Sequence, residues 1–228
     1  MIRLNRRAAC GVMLRVMVRS LFFSTLLVAT VLLAAGDLSA ATRDGLPNTG
    51  DPGFRFEGKG APELSTDFEK RRSEAIAGDA EAANLLGFLH ARGRGVAQDY
   101  TKALRWYGLA AQRGHTEAQF NLALLHQFGL GTPPDPDKAI VWYRRAADGG
   151  NPFARFNLGQ VYLFGTGVAI DHAMAAKWFR LAADQGHATA QLNLGFLHFV
   201  GRGVARDIPT ALSWYRRAAQ QGEPDAQL

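Results

Sequence analysis

Three of the six histidines, His90, His126 and His198, occupy one slot of a 36-residue spacing. Imidazoles in a regular row suggest a metal ladder. Packed helices lie roughly 8–10 Å apart, whereas zinc holds imidazole nitrogens at about 2.0–2.1 Å. Successive slots therefore cannot share one ion. The fourth member of the row is Tyr162, so each ring reads as a structural aromatic with a polar tip. His115 and His187 share a second slot, just before a predicted helix, and read as capping or surface residues. The sequence assigns no metal ligand and no cofactor.

The carboxylates point the same way. Asp99, Asp135, Asp171 and Asp207 recur every 36 residues at predicted helix starts, where an acceptor side chain satisfies an orphan backbone N–H. Glu81 and Glu117 fall in first turns, where the helix dipole favours acids. No acid pair is left over for general acid–base work. No Gly-x-Ser-x-Gly elbow occurs, and the Gly-x-Gly pairs follow helices rather than strands, so they are turn glycines and not phosphate loops. No catalytic residue is assigned.

What remains is recognition chemistry. Phe120, Leu124 and Gln127, then Phe156, Gln160 and Leu163, then Leu192, Phe196 and Phe199 form a second, mostly apolar stripe on the first helix of their units. It is offset from the Ala118-Leu122-Leu125 stripe, whose helical spacing marks the core face. Asn121, Asn157 and Asn193 run beside it, and a side-chain amide offers both a donor and an acceptor to a peptide backbone. One reading is a groove for an extended or helical apolar peptide. The other is that these rings pack against adjacent helices.

The elements that position these residues follow from the repeat. Trp106, Trp142, Trp178 and Trp214 are evenly spaced, and the same step links Gly93, Gly129, Gly165 and Gly201. Looking for such a period comes before any other fold argument. The units are 79–114, 115–150, 151–186 and 187–222. Each reads as two helices. Helix A of the second unit is expected near 116–128 and ends at a Gly-x-Gly, because glycine reaches left-handed angles freely. Asp135 then caps helix B, Pro136 suits its first position, and Trp142 is expected to fill the space between helices. Gly150 closes helix B, and Asp79 and Asn151 are placed to cap helix A of their units. Neither helix buries its apolar face alone, whereas stacked units do.

Ala154-x-x-Asn157-Leu158-Gly159, Tyr162, Gly165-x-Gly167-Val168, Asp171, Ala175, Trp178, Ala182-Ala183 and Gly186 resemble the Sel-1-like repeat, a relative of the tetratricopeptide repeat. Departures are few: Leu85 replaces the Asn of the other units, and three His replace the usual Tyr. The resemblance implies an all-α, right-handed α-α superhelical solenoid of helix-turn-helix repeats. It also implies a scaffold or adaptor that binds proteins or peptides, with the helix A stripe lining its concave groove. Some secreted Sel-1-like proteins are described as β-lactamases, and a cell-wall or β-lactam hydrolase is the alternative. That group carries a Cys pair in each repeat, whereas this chain has one Cys in all.

The ends carry separate information. Residues 1–20 are Arg-rich without an acid, and Leu21–Ala35 is uncharged. Small residues follow, so residues 1–41 read as a secretory signal peptide. The alternative is an inner-membrane anchor over 21–38, short against the ~20 residues a span needs. The first leads to an exported, periplasmic or envelope-associated protein. The leader holds five Arg against Asp37, so the formal charge of +6 falls to about +2 without it. That charge excludes a strong nucleic-acid footprint. Residues 42–65, rich in Gly and Pro, read as a flexible linker. Residues 66–78 read as a polar capping half-repeat, with Lys70 in place of the Trp. Residues 223–228 match the start of a fifth helix A and leave an uncapped face, which invites self-association. The identity of the protein or peptide partner is not encoded in any motif.

Overall fold

The computed structural model describes residues 68–221 together with Gly53 and Arg55. The leader, the rest of the linker and residues 222–228 lie outside the described residues. Among those described, all regular structure is α-helical. The helices are α1 (Phe68–Ala77), α2 (Ala80–Arg92), α3 (Tyr100–Gln112), α4 (Thr116–Phe128), α5 (Pro136–Asp148), α6 (Pro152–Phe164), α7 (His172–Asp184), α8 (Ala188–Val200) and α9 (Ile208–Gln220). Each packs on the helix before it and the helix after it. The chain is thus an all-α solenoid of stacked helix pairs. No described helix is long and apolar enough to cross a membrane.

The boundaries are chemical. Asp99, Asp135, Asp171 and Asp207 each accept a backbone N–H three residues on, at 2.9–3.1 Å. Asp79 and Asn151 cap helix A of their units in the same way. Helices α2, α4, α6 and α8 end at Gly93, Gly129, Gly165 and Gly201, all left-handed. Each glycine N–H donates to a carbonyl four residues back, closing the last turn.

One packing expectation is corrected. The ring buried between the two helices of a unit is not the Trp but its neighbour. Tyr107, Tyr143 and Phe179 are 0–1% exposed, while Trp106, Trp142 and Trp178 are only half-buried. Room for the ring comes from helix A: a Cβ on Gly159 would lie 2.4 Å from the Phe179 ring. Trp142 instead lies under the Arg145 guanidinium, 4.5 Å from its ring centre, and Trp214 lies under Arg217 at 4.7 Å. These arginines are exposed and cover the half-buried or buried Trp beside them. In the fourth unit the Tyr215 ring still meets helix A, 2.8 Å from a Cβ on Gly195, but it is half-buried while Trp214 is buried.

Polar side chains couple one unit to the next. Gln119, Arg155 and Gln191, at one slot of helix A, donate to the carbonyls of Ala111, Ala147 and Ala183 in the preceding helix B. The first unit has Ala83 at that slot, and there Arg113 donates to Ala75 of α1 instead. Helix α1 therefore joins the stack by the same bond chemistry as a full unit.

Candidate peptide-binding groove

The helix A stripe divides on burial. Phe120, Leu124 and Leu192 are 3–5% exposed and pack into the core. Phe120 lies 6.0 Å, centroid to centroid, from both Tyr143 and Phe153. Phe156, Gln160, Leu163, Phe196 and Phe199 are half-buried and supply the accessible part of the stripe. The Phe156 ring leans on Phe179 at 5.8 Å. The Phe156, Phe196 and Phe199 rings each pack along one edge and keep part of their surface exposed.

The three asparagines also diverge. Asn193 donates to the Thr189 carbonyl one turn back at 2.8 Å, so part of its amide is spent on its own helix. Asn157 is half-buried beside Tyr143, whose hydroxyl donates to Gln127 Oε1. Burial raises the Tyr143 pKa well beyond its ordinary value, so the hydroxyl stays protonated. Asn121 is fully buried and bonds a distant part of the chain. Its Oδ1 accepts the Arg55 backbone N–H at 3.1 Å, and its Nδ2 donates to the Arg55 carbonyl at 2.9 Å. Both backbone groups of one residue are thus satisfied by one amide, across 66 positions of sequence.

The side chain of that same residue is held as well. The Arg55 guanidinium lies over the Phe153 ring, 4.2 Å from its centre. Phe153 belongs to an aromatic cluster. His187 meets it edge-on at 5.2 Å and stacks on Phe156 at 4.6 Å with 17° between planes. His187 also caps α8, its Nδ1 accepting the Ala190 N–H at 3.2 Å, which requires that nitrogen to be unprotonated. Burial, with Arg55 adding positive charge nearby, lowers the His187 pKa from 6.5 to about 4. At neutral pH the cluster is therefore apolar and uncharged. His115 caps α4 in the same geometry and sets its Nε2 2.8 Å from Glu81 Oε2.

The other histidines have local roles. His90 is 6% exposed and meets Phe68 of α1 edge-on at 5.9 Å. His198 is 8% exposed, with Arg180 Nη2 at 3.1 Å from its Nε2. Among the described residues no three His, Cys, Asp or Glu converge on a point.

Sequence reasoning missed Phe153, His187 and Arg55 as parts of the site. A signal existed for the first. The slot that holds Glu81 and Glu117 holds Phe153 in the third unit, exchanging a dipole-matched acid for an exposed-face ring. Nothing in the composition of the linker singled out Arg55.

Comparison with known proteins comes to the same repeat. The Sel1 repeat family matches residues 80–115, 116–151, 152–187 and 188–223, well over half of the chain. Among solved structures, a protective antigen of uropathogenic Escherichia coli strains, described as displaying an SLR fold, is 41% identical with a TM-score of 0.66. The match covers 68% of this chain and 33% of that one. A Sel1 repeat protein from Oxalobacter formigenes is 36% identical with a TM-score of 0.68, covering 72% of this chain and 48% of that one. The chain thus spans about a third of one relative and about half of the other. Among curated proteins no match is found.

Proposed function

The chain belongs to the Sel1 repeat family, and from that premise we propose that it is an exported, non-enzymatic scaffold that binds a peptide or protein partner along its helix A face. Sel1 repeat proteins are generally protein-interaction scaffolds. The observation that carries the reading here is the Asn121 amide, which bonds the N–H and the carbonyl of one backbone residue together. That is the contact an extended peptide needs and a globular surface seldom offers. The half-buried Phe156, Phe196 and Phe199 extend an apolar strip along the same helices. Solenoids differ in groove side chains while sharing a framework, so partner identity resides in that strip.

Export is supported by the Arg-rich start, the uncharged stretch 21–35 and the small residues that follow. A periplasmic or envelope setting is the matching location, with attachment through residues 21–38 as the uncleaved variant.

The experiment is capture from an envelope extract by the full chain, beside a Gln160→Ala, Phe196→Ser variant of unchanged helicity. A partner held by the parent and lost by the variant is expected. A partner held equally by both places the site elsewhere and contradicts the proposal.

A further inference from the structure

Resting on the groove reading above, we infer that the site built by Asn121 and the Phe153–His187–Phe156 cluster selects an extended peptide bearing an arginine, and that Arg55 of the chain's own N-terminal segment is its tethered occupant. Three contacts converge on one residue. Asn121 bonds both backbone groups of Arg55, and Phe153 takes its guanidinium at 4.2 Å. The first two are blind to side-chain identity. The third is not, because a planar cation gains from an aromatic face where an aliphatic side chain does not.

The surroundings fit a cation. His187 completes the ring cluster, and its cap bond to Ala190 keeps it in the neutral form. The shelf thus offers ring faces and no repelling charge. The third unit is also where the repeat departs from its acid, Phe153 standing in the slot of Glu81 and Glu117. The specificity element is a property of this chain and not of the repeat pattern.

Cis occupancy follows from the strengths involved. Two neutral hydrogen bonds and one exposed cation–π contact are each weak in water. A free peptide held by these alone binds weakly. Twelve residues separate Arg55 from the start of α1 at Phe68. A tether that short gives an effective concentration on the order of millimolar, enough to seat a weak ligand and low enough for a better one to displace it. Asn121 and Phe153 are therefore already engaged by Arg55, and a partner with an arginine in the same frame competes for both together.

The test uses the full chain and a labelled synthetic octapeptide with the sequence of residues 51–58, followed by fluorescence anisotropy. Arg55→Pro in the protein removes both the N–H that Asn121 accepts and the guanidinium. The expected result is that the octapeptide binds the Arg55→Pro chain at least threefold tighter than the parent. Replacing the peptide arginine by alanine is expected to weaken binding to the Arg55→Pro chain at least threefold. Adding Asn121→Ala to the protein is expected to weaken it tenfold or more. Phe153→Thr, which installs the residue that Thr189 supplies in the fourth unit, keeps the fold and is expected to abolish the arginine preference alone. Equal binding to parent and Arg55→Pro chains overturns the tethered occupant. Equal binding of arginine and alanine peptides overturns the selectivity. A parent that dimerises while Arg55→Pro does not would seat Arg55 in a second copy and overturn the cis arrangement. If the octapeptide fails while an envelope partner is still lost with Gln160→Ala, Phe196→Ser, this inference falls and the groove reading stands.

Discussion

Asn84 occupies the slot that Phe120, Phe156 and Leu192 fill in the later units, yet it is fully buried with neither amide atom hydrogen-bonded. An unmade bond at a buried polar group costs about 1–3 kcal/mol. Asn84→Leu, near-isosteric and already used at Leu192, is expected to stabilise the chain by about 1 kcal/mol. Thermal unfolding should rise by roughly 2–4 °C for a chain of this size, and a fall would contradict the reading. The histidines give a second residue-scale expectation. Burial lowers His90, which faces Lys102 and Asp99, and His126, which faces Lys138 and Asp135. It lowers His187, which faces Arg55, to about 4. Each is protonated more readily in the unfolded chain, so unfolding takes up protons and stability falls as pH drops below about 6.5. For His187 the loss is complete near pH 4 and amounts to about 1–3 kcal/mol. The capping acids Asp99, Asp135 and Asp207 are lowered, chiefly by hydrogen bonds, so their contribution persists until the pH falls below their ordinary 3.8. Urea titrations between pH 7 and 4 should show declining stability, and a flat profile would contradict it.

At the scale of elements, the loop glycines join units as well as end helices. Gly131 has φ +72, and a Cβ there would lie 2.5 Å from the Tyr100 backbone at the start of the preceding helix B. Gly203 abuts the backbone of His172 in the same way. Gly114 has φ +85 but open space around it. Gly131→Ala therefore meets both a left-handed backbone and a collision, whereas Gly114→Ala meets the backbone term alone. The expected losses are about 3 kcal/mol or more and about 1–2 kcal/mol respectively. Equal losses in chemical denaturation would show that the loop does not bear on its neighbour. This scale was also the most legible in sequence. The helix A boundaries at 116–128, the Asp caps and the Gly stops were all readable, because each is a local rule repeated four times. The inner ring was not. Trp and Tyr or Phe are adjacent in every unit, and the choice between them is made by the approach of helix A to the ring, seen at Gly87, Gly159 and Gly195.

At the scale of the molecule, the candidate site was half legible. The stripe and the asparagines lie on one face because helical spacing places them there. Which of them reach a ligand depends on distances between units, and no repeat pattern encodes those. Asn193 bonds its own helix, whereas Asn121 bonds Arg55. The pairing of Arg55 with Asn121 spans 66 positions and joins a stretch without periodicity to a repeat, so nothing in the chain order announces it. It turns a linker into part of the site. The most direct measurement is hydrogen exchange at the Arg55 backbone amide in the full chain. The amide donates to a buried asparagine, so it should exchange at least tenfold slower than its intrinsic rate. That protection should vanish in Asn121→Ala and on saturation with the octapeptide of residues 51–58. Exchange at the intrinsic rate in the parent chain would contradict a groove that holds a peptide backbone through Asn121.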